Sequence, residues 1–78
     1  MMNVLYSSPH YCVAEYSGRG GIELVDKQVG RSAYLEGALE AKFRSNMATL
    51  FSEQPSEESV DEYLGYYEAL LTNPVVLH

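Results

Sequence analysis

The sequence is poor in cysteine and in basic residues, and both shortages narrow the class of protein. Cys12 is the only cysteine, so an internal disulfide is excluded and a reducing compartment is expected. Lys and Arg together number 5 against 11 Asp and Glu, which gives a formal net charge of −6. Because nucleic-acid binding begins with the neutralisation of phosphates, we expect no nucleic-acid partner. A basic protein partner is compatible with this charge.

Long apolar runs and a secretory leader are also missing. No segment approaches the roughly 18 consecutive apolar residues of a membrane span. The first ten residues, MMNVLYSSPH, lack the basic segment and the long apolar run of a secretory signal. We therefore expect a cytoplasmic protein with no membrane partner.

The composition that remains is that of one small globular domain. A hydrophobic content of 46% and a charged content of 21% are typical of a folded chain. At 78 residues, however, a single core is marginal unless a disulfide, a metal or self-association supports it. We expect residues 1–78 to form a single domain.

A central apolar pattern from Leu35 to Phe51 predicts a helix over about 36–52. Apolar residues recur there at spacings of three and four, which places them on one helix face. Glu40 and Arg44 are four residues apart, in the acid-first order that stabilises a helix. The predicted buried face consists of Leu35, Leu39, Phe43, Met47, Leu50 and Phe51.

A second amphipathic pattern predicts a helix over about 56–72, ended by Pro74. Its N-cap is either Ser56, or Ser59 with Glu62 completing a capping box. The spacing of its apolar residues again defines one stripe. This stripe consists of Val60, Tyr63, Leu64, Tyr67, Leu70 and Leu71.

The chain over about 3–35 contains three to four short strands separated by turns. Each strand segment is rich in β-branched or aromatic residues. Connections this short favour an antiparallel meander. The predicted fold class is therefore α+β, a small antiparallel β-meander followed by two packed α-helices. The strand segments are Val4–Tyr6, His10–Tyr16, Ile22–Asp26 and Ser32–Leu35.

Alternation along the second strand places apolar side chains on both faces of the sheet. Tyr11 and Val13 face one way, whereas Cys12, Ala14 and Tyr16 face the other. Two helices in a chain this short cover only one face. We therefore expect a homodimer in which a second copy covers the other face.

The predicted interface combines strand, helix and tail residues. An extended tail over 74–78 is too apolar to hang free, so we expect it to pair with a strand edge of its own sheet or of the partner's. A tyrosine beside the apolar stripe of the second helix is a further contact, because tyrosine buries a ring and keeps a polar tip. The candidate interface residues are Tyr11, Val13, Tyr66, Val75, Val76 and Leu77.

No pattern of catalytic or metal-binding residues stands out. His10 and Cys12 are two residues apart on a predicted strand and so share a face, but a metal site needs further ligands. The only other histidine is His78. We therefore expect no catalytic residue, no cofactor and no metal, and we interpret Cys12 as structural.

Five acidic residues gather around the start of the second helix. Acids in this position are stabilised by the helix dipole, so we expect them to face solvent and to be replaceable. The alternative is that they bind a cation, or that they imitate a nucleic-acid backbone and occupy a basic protein. They are Glu53, Glu57, Glu58, Asp61 and Glu62.

Four segments together resemble a known family. They are ELVDK at 23–27, LEGAL at 35–39, VDEYL at 60–64 and PVVLH at 74–78. In this order they resemble a family of short beta-proteobacterial proteins catalogued as a domain of unknown function. The resemblance implies a bacterial, stand-alone protein and supplies no catalytic residues.

The patterns favour a non-enzymatic protein-interaction or regulatory module that forms a small acidic homodimer. One alternative is an acidic decoy that occupies a nucleic-acid-binding protein. The other is a small enzyme without a recognisable motif, although the paired carboxylates, nucleophile–base set or metal ligands that such chemistry needs are not evident in the sequence.

Overall fold

Four strands in chain order form an antiparallel meander. The computed structural model describes residues 2–16, 18, 20–71 and 73–74, the last two by their backbone only. Neighbours along the chain are neighbours in the sheet, as predicted from the short connections. The strands are β1 (Met2–Ser7), β2 (Tyr11–Tyr16), β3 (Ile22–Asp26) and β4 (Arg31–Leu35).

Two helices follow the meander, which confirms the predicted α+β class. Helix α1 spans Gly37–Ser52 and helix α2 spans Glu57–Gly65. Of the two N-caps considered for α2, the structure uses Ser56, whose side chain accepts a hydrogen bond from the backbone N–H of Ser59 at 3.1 Å.

The second helix is shorter than predicted. It ends at Gly65, and after a turn the chain forms a 3₁₀ helix at Glu68–Leu70. Glycine in a helix costs about 1 kcal/mol relative to alanine. The turn also brings Leu71 into the core, and this tertiary contact outweighs the continuous apolar stripe that predicted a longer helix.

The last described residues extend the sheet. Asn73–Pro74 forms a two-residue strand, β5, which pairs antiparallel with β4. This part of the chain therefore pairs with its own sheet. The predicted contacts of Val75, Val76 and Leu77 lie outside the described residues.

Both helices pack on one face of the sheet. Phe43 and Met47 of α1 and Val60 and Leu64 of α2 belong to the same core as the strand residues. This core is the buried apolar layer that a small domain needs. Its strand members are Tyr11, Val13, Ile22, Leu24, Ala33 and Leu35.

Tyr11 and Val13 lie in this core, so neither can form the interface predicted for it. Their exposed fractions are 2% and 0%. The predicted alternation is correct, because Tyr11 and Val13 share a face that Cys12 and Ala14 do not. The error lies in the choice of face: the helices cover the Tyr11 side and leave the Cys12 side open.

The buried face of α1 is also narrower than predicted. Phe43 and Met47 are buried and Leu50 packs at the core margin, whereas Leu39 and Phe51 are exposed. The Phe43 ring contacts two tyrosines beyond the sheet, Tyr63 and Tyr67, at centroid distances of 6.1 and 5.2 Å. The core thus covers the middle of α1 and leaves apolar side chains exposed towards both ends. 

The loop before β3 depends on glycine at one position. Gly21 has φ +93°, and a Cβ built on it would overlap the Tyr34 ring of β4. The Tyr34 hydroxyl donates a hydrogen bond to the Gly20 carbonyl at 2.5 Å. Tyr34 therefore packs directly on the backbone of this loop.

Replacing Gly21 with alanine should destabilise the protein more than replacing Gly20. Both glycines have positive φ, so each substitution costs about 1 kcal/mol of backbone strain. Gly20 has open space around it, whereas Gly21→Ala also overlaps Tyr34 and should cost about 1–3 kcal/mol more. Urea unfolding of the two variants measures the difference, and equal losses would contradict the contact.

Candidate functional site

Four polar side chains meet at the end of the β2–β3 hairpin that is opposite its loop. This end of the hairpin faces the 3₁₀ helix. His10 precedes β2, Tyr11 begins it, Asp26 ends β3 and Glu68 begins the 3₁₀ helix. His10 Nε2 lies 3.2 Å from Asp26 Oδ2. The Tyr11 hydroxyl donates a hydrogen bond to Glu68 Oε1 at 2.6 Å. We refer to these four residues as the hairpin-end cluster.

The position of His10 differs from the sequence prediction. It was expected to share a strand face with Cys12, but β2 begins only at Tyr11 and His10 lies in the bend before it. Its ring stacks on the Tyr11 ring, with centroids 3.9 Å apart and planes 11° from parallel. The imidazole is therefore on the helix side of the sheet, and Cys12 is on the open side.

Asp26 is the fixed centre of the cluster. It is 1% exposed, and its Oδ1 accepts hydrogen bonds from the backbone N–H groups of Gln28 at 2.9 Å and Val29 at 3.3 Å. These bonds are those of a turn that follows an aspartate. Because they hold Oδ1, they leave Oδ2 directed towards His10.

The two carboxyl groups of the cluster have pKa values that move in opposite directions. Burial by itself would raise the pKa of Asp26, but hydrogen bonds from Glu68, from two backbone N–H groups and from His10 outweigh burial and lower it. The hydrogen bond to Asp26 raises the pKa of Glu68. Asp26 thus carries the negative charge, and Glu68 is the carboxyl group that holds a proton more readily than usual.

The Asp26 carboxylate should stabilise the fold at neutral pH and lose this effect in acid. The pKa of Asp26 is lower in the folded state than in the unfolded state, where it is about 3.9. The ionised carboxylate therefore stabilises the fold at pH values above the unfolded-state pKa, and this stabilisation is lost as pH falls through the folded-state pKa. The unfolding free energy of wild type should therefore exceed that of Asp26→Asn most at pH 7. The difference should shrink below about pH 4.

Glu68→Gln is the matched comparison, because its amide imitates a protonated carboxyl. Because the pKa of Glu68 is raised in the folded state, its protonated form stabilises the fold at low pH. This stabilisation is lost as pH rises through the folded-state pKa. The stability of Glu68→Gln relative to wild type should therefore increase with pH, opposite in sign to the Asp26 effect. Urea unfolding between pH 3 and pH 7 measures both, and parallel curves would contradict the assignment.

The acidic cluster at the start of α2 is only partly solvated. Asp61 accepts hydrogen bonds from the Tyr6 hydroxyl and from Ser8 Oγ, both at 2.9 Å. Burial of the Tyr6 hydroxyl and its bond to Asp61 raise the pKa of Tyr6 to about 12. The other four acids, Glu53, Glu57, Glu58 and Glu62, are exposed. Asp61 therefore joins α2 to the β1–β2 hairpin.

Removal of Asp61 should cost more stability than removal of an exposed acid on the same helix. Asp61→Ala leaves two hydroxyl groups without their carboxylate acceptor and should cost about 1–3 kcal/mol. Glu58→Ala should cost about 1 kcal/mol or less, since it removes only a charge near the helix dipole. Denaturant unfolding compares them, and an equal effect would mean that the Asp61 contacts contribute nothing.

The open face of the sheet and its first strand form a second candidate surface. Among the described strands, β1 lies at the sheet edge. Met2, Val4 and Leu5 of β1 are 54%, 50% and 41% exposed. The β1–β2 register shifts between Val4 and Tyr6, as in a β-bulge, so Val4 faces the open side while Tyr6 faces the helices.

An apolar groove adjoins β1 on the helix side. It has a volume of about 260 Å³, and Phe51 at its edge is exposed, with its ring centroid 6.2 Å from that of Tyr6. Arg44 adds a polar group that is bound to Glu15 and Glu40 at 2.9 Å each. The groove is lined by Leu5, Val13, Ile22, Phe43, Arg44, Met47 and Phe51.

Tyr66 lies at the surface, and its predicted role as a contact residue stays a prediction. It is exposed and meets the Tyr63 ring edge-on at 6.2 Å. The Tyr63 and Tyr67 hydroxyls are hydrogen-bonded to each other at 2.8 Å. Burial and this bond raise the pKa of Tyr63 to about 12. These two tyrosines therefore support the core, and only Tyr66 extends outwards.

Sequence reasoning missed the hairpin-end cluster. It considered His10 beside Cys12 and did not single out Asp26 or Glu68. The two carboxyl residues are far apart in the chain, and they meet because the chain turns after Gly65. The Asp26-Lys27-Gln28 turn is a local signal that Asp26 binds its own backbone, but it does not indicate a partner.

A sheet with both helices on one face and the other face open defines a small α+β protein. The chain matches the family described as "Protein of unknown function (DUF3567)" over residues 2–78. It is 41% identical over 85 aligned positions to Protein BTH_I0359 of Burkholderia thailandensis, covering 99% of this chain and 100% of that protein. The chain belongs to this family, which confirms the resemblance found in the sequence.

No solved structure matches the chain. Among the residues with described positions, none of the helices combines the length and the apolar character needed to cross a membrane.

Proposed function

We propose that the protein is a non-enzymatic interaction module that assembles as a homodimer through the edge of β1. One observation carries this proposal. The edge strand Met2–Ser7 contains no charged residue and exposes three apolar side chains, in a chain of net charge −6.

An edge strand of this kind is complementary to its own copy. Proteins commonly protect a sheet edge with lysine, proline or a charge that points inwards. β1 contains none of these and has only the register shift near Leu5. A second β1 running antiparallel would supply matching N–H and C=O groups and would give a twofold interface.

Charge also favours β1 over other surfaces. Two chains of net charge −6 repel each other, so contact is least unfavourable where no acid lies uncompensated. The acids beside β1 are bonded within the chain: Glu15 accepts hydrogen bonds from Asn3 at 3.1 Å and from Arg44 at 2.9 Å, and Asp61 accepts one from Tyr6 at 2.9 Å. Both carboxylates are therefore already paired within the chain, and Glu15 shares Arg44 with Glu40.

The apolar surface next to β1 adds area to such an interface. A stable dimer buries roughly 800 Å² per partner, which is roughly a sixth of the 5065 Å² surface of the described chain. One strand edge supplies part of this area. Leu5 and Phe51 at the groove, with Met2 and Val4 on the open face, are exposed apolar side chains that a partner would cover.

The acidic-decoy alternative has less support. It needs an array of free acids near the start of α2. Glu53, Glu57, Glu58 and Glu62 are exposed there, but Asp61 is bound to Tyr6 and Ser8 and is not free. If the decoy were correct, capture from cells would recover a nucleic-acid-binding protein that high salt releases.

The dimer proposal predicts that a charge on β1 separates the protomers. Wild type at micromolar concentration should have about twice the 8.7 kDa chain mass by light scattering. Val4→Lys should give the monomer mass, because it places a charge in the apolar interface. Val29→Lys is the matched control, since Val29 is 60% exposed in the β3–β4 turn and Val4 is 50% exposed.

Three results would reject the interface. Wild type could remain monomeric at 100 µM, Val4→Lys could remain dimeric, or Val29→Lys could dissociate the protein equally. Circular dichroism of both variants verifies that a monomer is folded, so that dissociation is not mistaken for unfolding.

A further inference from the structure

We propose that His10, Asp26 and Glu68 bind a divalent transition-metal ion, with Zn²⁺ as the reference ion. Each residue offers one donor atom, and these three atoms lie within 4.8 Å of one another. The proposal is independent of the homodimer, because all three ligands come from one chain.

The donor set has the chemistry that such an ion requires. One imidazole nitrogen and two carboxylate oxygens are all established ligands of Zn²⁺. With neutral histidine, two carboxylates supply the two negative charges that balance a divalent ion. The imidazole favours a transition metal over Mg²⁺, which prefers oxygen ligands in octahedral geometry.

The distances are close to those of a bound ion. Zn–N and Zn–O bonds of about 2.0–2.1 Å place two tetrahedral ligands roughly 3.3–3.4 Å apart. His10 Nε2 and Asp26 Oδ2 are 3.2 Å apart, so these two ligands already have the required separation. Glu68 lies at the surface on a short 3₁₀ helix, where its side chain can adjust to complete the set.

The surrounding residues hold the ligands in place. The backbone N–H groups of Gln28 and Val29 bind Asp26 Oδ1 and leave Oδ2 for the ion. The Tyr11 ring stacks on His10, and its hydroxyl binds Glu68 at 2.6 Å. Partners of this kind orient metal ligands in proteins.

The site would be open rather than closed. This is the one group of three such residues within the described part of the chain, and Cys12 lies on the other sheet face. Three protein ligands leave a fourth position for water or for a small ligand, which is the coordination found in catalytic zinc sites and not in closed structural ones. The ion would also join the 3₁₀ helix to the β2–β3 hairpin.

Metal binding by the full chain, first treated with a chelator, tests the site. Equilibrium dialysis should find one Zn²⁺ per chain, bound at least tenfold more tightly than Mg²⁺. Glu68→Gln and His10→Gln should each weaken Zn²⁺ binding at least tenfold. Zn²⁺ should raise the thermal unfolding midpoint of wild type, because it binds the folded state, and the rise should be lost in both variants.

Two control variants make the test specific. Glu58→Gln removes an exposed acid elsewhere, and Cys12→Ser removes the thiol; both should bind Zn²⁺ as wild type does. Glu68→Gln keeps a donor for Asp26, so loss of binding without loss of circular dichroism reports the ligand itself. Unchanged binding in Glu68→Gln and His10→Gln, loss in Cys12→Ser, equal affinity for Mg²⁺, or no binding at 1 mM Zn²⁺ would each overturn the proposal.

Discussion

A single apolar layer between the sheet and its two helices holds this chain together. Val13, Leu24, Phe43 and Leu64 are completely or almost completely buried in it. A 78-residue chain has little apolar area to bury, and its one cysteine, Cys12, is a free thiol, so most of the stability must come from this layer. Because both helices pack on one face, neither helix covers the other sheet face, and β1 has a described strand neighbour on one side only.

Polar contacts attach the C-terminal half of the chain to the sheet beside this layer. Tyr6 and Tyr11 each bury a ring on the helix side and donate their hydroxyl to an acid of the later chain, Asp61 and Glu68. A tyrosine and a carboxylate in this arrangement bury apolar area without leaving a polar atom unpaired. The abundance of tyrosine and acid is thus partly structural, and it does not require a basic partner.

The same packing produces both surfaces that could act on other molecules. The β1 edge is exposed because, among the described strands, β1 pairs only with β2, and the hairpin-end cluster is a consequence of the turn after Gly65. The first surface is apolar and uncharged at β1. The second is polar and concentrates His10, Asp26 and Glu68 around one point. They share no residue, so a substitution in one surface need not affect the other.

The sequence by itself determined the elements and their order. The sequence pattern predicted β3 at Ile22–Asp26, and the three- and four-residue spacing predicted α1 to within one residue at its start and correctly at its end. These features are local, because they depend on the regular spacing of apolar residues along the chain and on the glycines and prolines that interrupt it. Membership of the family was likewise recognisable from segments spread along the chain.

Only the tertiary structure decided which side of each element is covered. Both faces of β2 carry apolar residues, so alternation could not show that Tyr11 and Val13 would be buried while Cys12 stayed on the open side. The stripe placed Leu71 on a continuous second helix, whereas packing buries Leu71 after a turn and α2 ends at Gly65. The meeting of Asp26 with Glu68 follows from that turn, because proximity between distant residues depends on packing and not on spacing.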